Sequence, residues 1–364
     1  MSDRLRILYV AYPLLPVSHE SCGGAEQVLC SLERLMHRRG HATTVAAPAG
    51  SRVSGDLLVT AWPTNEPDQL ERCEREQRAA IIEAIRRCER EGKPFDLVHD
   101  HSGAFWQFAA QFDLPVLATL HLPRDSYRDE LFSGVAANLF FNCVSQPQSQ
   151  QFKELPNFTG VIENGVDLGQ FRPHYGRRSG HLLWLGRICE EKGPHIALDV
   201  AKAARVPLIL AGQVYPFSYH QRYYQREIVP CLHALGSQAK EMTTPNLSQK
   251  LELLRQARAV LIPSTVEESS SLVAMEAMAC GTPVIAFRRG ALAQIVHHGT
   301  TGFLVESAEE MAAAIPQIAE IDPNTCRRRA EQLHSDERMV SGYEQLYQRI
   351  LKSWRGQSVR EFVA

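Results

Sequence analysis

Two cations and two carboxylates carry most of the chemistry that this sequence offers. Arg187 and Lys192 lie in Leu183-Trp-Leu-Gly-Arg-Ile-Cys-Glu-Glu-Lys-Gly193, an apolar run that feeds a charged loop ahead of a helical pattern. Arginine presents a planar fork and lysine a point charge, so the two at the carboxyl end of a strand could neutralise a diphosphate. A solvated loop, in which they pair with Glu190 and Glu191, is the plainer reading. Glu268 and Glu276 lie in Pro263-Ser-Thr-Val-Glu-Glu-Ser-Ser-Ser-Leu-Val-Ala-Met-Glu-Ala-Met-Ala-Cys-Gly-Thr-Pro-Val-Ile-Ala286. This pattern predicts strand, polar loop, helix, Gly-Thr-Pro turn and a second buried strand. Ser269, Ser270 and Ser271 would then place hydroxyls and amides at a helix N-terminus, a setting that favours an anion. Glu276, inside the helix, could accept both hydroxyls of a ribose, as acidic residues do in dinucleotide sites. An ordinary surface glutamate is the alternative.

Near the N-terminus, Gly23-Gly24-Ala25-Glu26 opens a helix after the first apolar run. Paired glycines let backbone approach a ligand closely, or merely form a turn with Glu26 in the first helical turn. His99, Asp100 and His101, with His121, invite comparison with metal ligands, but no supporting cluster accompanies them and no metal is expected. His121 at a strand end reads equally as a buried structural histidine. Phe105, Trp106 and Phe108 could line an acceptor site or the core, and His19 and Glu20 could face an acceptor. There is no G-x-G-x-x-G, Walker A loop, G-x-S-x-G or H-E-x-x-H motif, and no D-x-D pair of the kind that holds a metal–diphosphate complex.

Short β-like runs alternate with helical patterns along the whole chain and would position these residues. Strands are expected over 5–11, 42–46, 96–99, 116–120, 140–144, 181–185, 207–211, 259–262 and 283–286, with helices over 25–39 and 70–90. This alternation predicts α/β architecture with parallel sheets. A Gly-, Arg-, Pro- and His-rich stretch at 168–180 lacks apolar periodicity and reads as a linker between doubly wound domains at 1–167 and 181–336. Residues 337–364 read as an amphipathic helix packing back toward the N-terminal domain, through Met339, Val340, Tyr343, Leu346, Tyr347, Ile350 and Leu351. Open α/β sheets bind ligands beyond the carboxyl ends of their strands, so two facing sheets would share one cleft.

Together these segments resemble the retaining glycosyltransferases of family GT4, which have the GT-B fold of two facing Rossmann-like domains. The resemblance rests on Glu268 and Glu276 with the following Ala-Met-Ala-Cys-Gly-Thr-Pro-Val-Ile-Ala, and on their order with other segments. Those segments are Gly23-Gly24-Ala25-Glu26, Asp96-Leu-Val-His-Asp-His101, Thr119-Leu-His121, and Glu163-Asn-Gly-Val-Asp167 with Phe171-Arg-Pro173, which resembles the strand entering the interdomain linker. Gly186-Arg187, Lys192-Gly193 and Gly299-Thr-Thr-Gly-Phe-Leu-Val305 complete the set. The Pro13-Leu-Leu-Pro16 loop and His99-Asp-His-Ser102 also resemble antibiotic- and pterin-modifying members.

The resemblance implies an acceptor-binding N-terminal domain and a nucleotide-sugar-binding C-terminal domain. Arg187 and Lys192 would hold the diphosphate of a donor such as UDP-glucose. Ser270, Ser271, Leu272 and Val273 would contact phosphate and sugar, Glu268 the sugar hydroxyls and Glu276 the ribose. Gly23 and Gly24 would close over the diphosphate, and His121 would orient a donor hydroxyl or assist charge stabilisation. The reaction would move a hexose to a hydroxyl acceptor, a small molecule by preference, with retention and without metal or other cofactor. A nucleotide-sugar epimerase and a non-catalytic nucleotide-sugar-binding protein are the alternatives. Two departures stand out: Ser269-Ser270-Ser271 replaces the family's usual Gly-Phe-Gly, and Gln294 stands where Glu is common. Segment 240–246, near the place of the base, shows nothing that separates uracil from guanine or adenine.

Composition sets the outer limits. Among 364 residues, Lys+Arg number 39 and Asp+Glu 41, a net charge of −2, without the basic surplus of a general nucleic-acid binder. Nine cysteines are scattered without C-x-x-C spacing, which suits free thiols in a reducing compartment. No apolar run is long enough to span a bilayer, and the apolar segment at 7–12 reads as a strand and not a signal peptide. A cytoplasmic protein is expected. Peripheral membrane contact and oligomeric state stay open.

Overall fold

The computed structural model describes residues 4–18, 20–21, 23–64, 67–174, 176, 178–215 and 217–363, excepting the side chains of 67 and 356–363. His19 and Cys22 lie outside the described residues. The chain divides into two compact units, Met1–Asn164 with Asp336–Ala364, and Gly165–Ser335.

The first unit is built on β1 (Arg6–Val10), β2 (Ala42–Ala47), β3 (Asp56–Val59), β4 (Leu97–Asp100), β5 (Val116–Leu120), β6 (Leu139–Cys143) and β7 (Phe158–Val161). They form one sheet in the order β3-β2-β1-β4-β5-β6-β7, every pair parallel. The second unit contains β8 (Leu182–Arg187), β9 (Leu208–Gln213), β10 (Ala239–Thr243), β11 (Ala259–Ile262), β12 (Val284–Phe287) and β13 (Gly302–Val305). Their order is β10-β9-β8-β11-β12-β13, again all parallel. Each sheet is doubly wound and reverses its strand order once, between β1 and β4 and between β8 and β11. Those reversals are the topological switch points at which open α/β sheets bind ligands. Four strands missing from the sequence-based expectation, β3, β7, β10 and β13, are the outer strands of the two sheets.

Strands β1, β5 and β6 are buried on both faces, which explains their near-continuous apolar runs, and β4 is equally buried although it ends in His99 and Asp100. In the second unit the Leu272–Ala279 helix is buried from Ala274 to Ala279. Glu276 apart, that stretch is alanine and methionine, as expected of a helix segment enclosed by its surroundings. Among the described residues no helix is long and apolar enough to cross a membrane.

The segment 168–180, expected as a linker, belongs to the second unit. Phe171 is buried in that unit's core. Arg178 donates to the carbonyls of Arg255, Ala257 and Gly281 and to Thr282 Oγ1, so side-chain anchoring replaces the missing periodicity. Residues 163–167 form no strand; Val166 makes a single parallel bridge to Ser335. At the other end, the Asp336–Val363 helix belongs to the first unit. Its stripe from Met339 to Leu351 is buried, and its polar edge is tied down by ion pairs Arg34–Asp336 (3.0 Å), Arg39–Glu337 (2.7 Å) and Arg39–Glu344 (2.9 Å).

Candidate active site

In the second unit, β8 delivers Arg187 at its carboxyl end, and the loop after it is pinned by the Trp184 indole N–H, which donates to the Lys192 carbonyl at 3.1 Å. Lys192 Nζ lies 2.6 and 2.7 Å from the two carboxylate oxygens of Glu268. Glu268 is almost entirely buried, whereas a third of Lys192 is exposed. Arg187 turns elsewhere: it donates to Glu191 at 2.9 Å and sits 5.5 Å from the Tyr215 ring centre. The two cations expected to act together on a diphosphate are thus each paired with a different glutamate. Thr265 N–H and Ser264 Oγ both donate to the Glu191 carbonyl, joining the loop after β8 to the loop after β11.

Gly290 secures Glu268 from the other side. Its φ of +48° is left-handed, and a Cβ there would lie 2.3 Å from the Glu268 carbonyl oxygen. That close approach lets Ala291 N–H donate to the same carbonyl at 2.7 Å. Only glycine satisfies both demands.

Ser271 caps the Leu272–Ala279 helix, its hydroxyl accepting from Ala274 N–H. The hydroxyls of Ser269 and Ser270 are buried and have no hydrogen-bond partner. Leu272 and Val273, half-buried, form the first turn of the helix. Four positions further on, Glu276 Oε1 accepts from Lys250 Nζ at 2.6 Å while Oε2 has no partner. Burial pushes the Glu276 carboxyl upward, and the Lys250 ammonium opposes it. Ser269 Oγ, Ser270 Oγ and Glu276 Oε2 lie on adjoining elements, a loop and the helix it opens.

Lys250 was not foreseen from sequence. It lies on the Leu247–Gln256 helix, which opens with a capping box between Asn246 and Gln249. That box is legible in the sequence as Asn-x-x-Gln ahead of an apolar run and would have placed Lys250 one position into the helix beyond it.

Cys189, Glu191 and His220 offer ligand atoms within 4.8 Å of one another. Arg187 Nε lies 3.4 Å from Cys189 Sγ and its Nη2 donates to Glu191, so a guanidinium already bridges two of the three.

The first unit holds the remaining candidates. Gly23 precedes the Gly24–Arg38 helix, and a Cβ on Gly23 would lie 1.9 Å from Glu26 Oε2. In this unit the glycine therefore makes room for the Glu26 carboxyl, which burial pushes upward. His121 follows β5, its Nε2 2.9 Å from His101 Nδ1 with the two rings stacked. Burial lowers His121 to about 4, which leaves a neutral imidazole near neutral pH. Phe105 and Trp106 are core residues, Trp106 packing edge-on against Phe141, so they do not line an acceptor site. Phe108 is half-buried, with the Arg78 guanidinium 4.3 Å from its ring centre.

Residues 22–170 match the Glycosyltransferase Family 4 model, and residues 179–320 match the Glycosyl transferases group 1 model. The chain belongs to the group 1, family 4 glycosyltransferases. This glycosyltransferase is 29% identical over 293 residues to the D-inositol 3-phosphate glycosyltransferase of Pseudarthrobacter chlorophenolicus, covering 67% of this chain and 66% of that protein. It is 27% identical over 377 residues to the protein of the same name from Mycobacterium sp. (strain KMS), covering 90% and 85%. Its fold matches that of the sucrose-phosphate synthase of Thermosynechococcus elongatus with a TM-score of 0.77, at 22% identity over 96% of this chain and all of that one. The glycosyltransferase thus has the GT-B class of architecture, with one parallel α/β sheet in each unit.

Proposed function

We propose that this glycosyltransferase moves a hexosyl group from a nucleoside-diphosphate sugar, UDP-glucose or a close analogue, to a hydroxyl of a small acceptor with retention of configuration. The observation that carries the reading is the cluster at the β8–β11 switch point: the Lys192–Glu268 pair, Arg187 at the carboxyl end of β8, and unpartnered Ser269 and Ser270 hydroxyls at a helix N-terminus. Backbone amides there and the two cations suit a diphosphate without a metal ion. Glu268, buried and gripped by the Lys192 ammonium, suits sugar hydroxyls, and the open oxygen of Glu276 suits a ribose. Gly23, Gly24 and His121 are assigned to the same reaction from the N-terminal unit. The names of the two relatives support a small polyol acceptor.

Catalysis in this scheme is positional and electrostatic. Lys192 and Arg187 stabilise the charge that builds on the departing diphosphate, and the departing phosphate takes the acceptor proton on the same face. No protein nucleophile takes part. Calorimetry with UDP, GDP and ADP is the direct test. One nucleotide should bind, and Lys192→Ala should weaken it roughly ten- to hundredfold, the worth of a charge-assisted hydrogen bond. Failure of the folded protein to bind any of the three would overturn the proposal.

A further inference from the structure

Three histidines, three tyrosines (Tyr9, Tyr343 and Tyr347), a threonine and an asparagine form one buried polar network around the carboxyl ends of β4, β5 and β6. In it Tyr343 Oη accepts from Asn142 Nδ2 at 3.3 Å and meets Thr119 Oγ1 at 3.2 Å, and the proton pattern can be read link by link. Asn142 Nδ2 donates to the Cys143 carbonyl at 3.2 Å, which fixes the amide and leaves Oδ1 as an acceptor. Thr119 spends its one proton on that Oδ1 at 2.7 Å. Its oxygen must then accept from His99 Nε2, also at 2.7 Å, so His99 carries its proton on Nε2. His99 Nδ1 is consequently bare. It accepts from Tyr347 Oη at 2.6 Å, a shorter contact than the 3.5 Å approach of that hydroxyl to Tyr9. His101 Nε2 faces that same bare nitrogen at 3.3 Å and so carries its proton, because two bare nitrogens at that distance would repel. His101 Nδ1 is therefore bare in turn, and the 2.9 Å link to His121 is donated by His121 Nε2. Among the described residues nothing binds His121 Nδ1.

We infer that this chain is a tautomer relay: Asn142, Thr119, His99 and His101 are positioning residues that hold His121 as the Nε2–H form, with Nδ1 presented as a hydrogen-bond acceptor. The group it takes from a ligand is then a hydroxyl that can donate, and a phosphate or carboxylate oxygen is rejected. This deepens the transferase reading and rests on it: of the two roles the resemblance allowed His121, it selects hydroxyl orientation over cationic stabilisation. Burial depresses the basicity of all three histidines, which keeps the relay neutral.

Nitrogen-15 NMR of histidine-labelled protein tests the relay without any substrate. The wild type should show a pyrrole-type Nε2 and a pyridine-type Nδ1 at His121, with coupling across the hydrogen bond to His101 Nδ1. Thr119→Val removes the acceptor that fixes His99, and Asn142→Leu frees the threonine proton. Either change should let the chain invert and move His121 toward the Nδ1–H form, whereas Thr119→Ser should keep the wild-type pattern. Turnover of the nucleotide sugar should fall roughly three- to tenfold in Thr119→Val, the worth of one hydrogen bond, and recover in Thr119→Ser. An Nδ1–H His121 in the wild type would overturn the relay. So would His121 signals that stay unchanged in both Thr119→Val and Asn142→Leu. Full turnover in His121→Ala, with the relay signals of the wild type as inferred, would instead sink the placement of His121 in the reaction.

Discussion

Lys250 and Glu276 meet across two helices, ammonium to carboxylate at 2.6 Å, with the glutamate side chain 2% exposed and the lysine 17%. The pair joins the helix that follows β10 to the helix that follows β11. Breaking such a pair from one side leaves a charge buried without compensation, a larger loss than removing both partners. Lys250→Met is expected to destabilise the second unit by about 3–5 kcal/mol, and adding Glu276→Leu to recover most of that loss. Urea unfolding of the three proteins decides it; a single variant as stable as the wild type would show that the pair carries no structural load.

Glu268 is gripped by Lys192 through both oxygens, yet the proposal gives the two residues different tasks. Glu268→Gln should therefore leave nucleoside-diphosphate affinity within about threefold of wild type while lowering kcat by roughly a hundredfold. Calorimetry and steady-state turnover separate these effects. Equal losses in both would mean that Glu268 acts only by holding Lys192 in place.

Asp100 provides the pH dependence. It accepts from the backbone N–H groups of Ser102 and Trp106 at 2.7 Å each, but burial outweighs these bonds and raises it from 3.8 to about 6. A carboxyl with a raised folded value holds its proton where the unfolded chain has released it. Its contribution to stability is therefore fullest below the unfolded value and is lost as pH rises to about 6, by about 3 kcal/mol in all. Subtracting the stability profile of Asp100→Asn from that of the wild type between pH 3.5 and 7, roughly the span of the two values, isolates this slope. A flat difference would refute it.

Tyr347 supplies the shortest hydrogen bond to His99 from a helix that joins the first unit only after the whole of Gly165–Ser335. Tyr347→Phe keeps the ring and deletes the donor, with an expected cost of about 1–2 kcal/mol. Hydrogen exchange should show faster opening in β4 and β5 and no change in β8 or β11. Uniform acceleration in both sheets would argue that the bond acts on the whole molecule.

The sequence disclosed those parts of the fold whose burial is two-sided. Strands β1, β5 and β11 read as near-continuous apolar runs because both faces are covered, and the 70–90 helix reads from its spacing alone. The outer strands escaped for physical reasons. β3, β7 and β10 are only partly covered, so Asp56, Thr159 and Lys240 interrupt any pattern. β13 is buried but begins at Gly302, which reads as a turn. The site was legible as residue types at strand ends, since chain order alone puts Arg187, Lys192 and Glu268 after β8 and β11. Its pairings were not. Nothing in the spacing tells that Lys192 chooses Glu268 over Glu190, or that a lysine on another helix completes Glu276, because both follow from contacts between segments far apart in the chain.

The first unit is interrupted between Asn164 and Asp336, so the ribosome makes one of its parts before Gly165–Ser335 and the other after it. All of Gly165–Ser335 has been translated before Tyr343 and Tyr347 exist to meet His99 and Thr119. The later-encoded sheet can close first, while the earlier one waits with a polar cluster and an apolar groove uncovered until the final helix arrives. A premature stop shortly after residue 335 would accordingly spare the half encoded last and cripple the half encoded first.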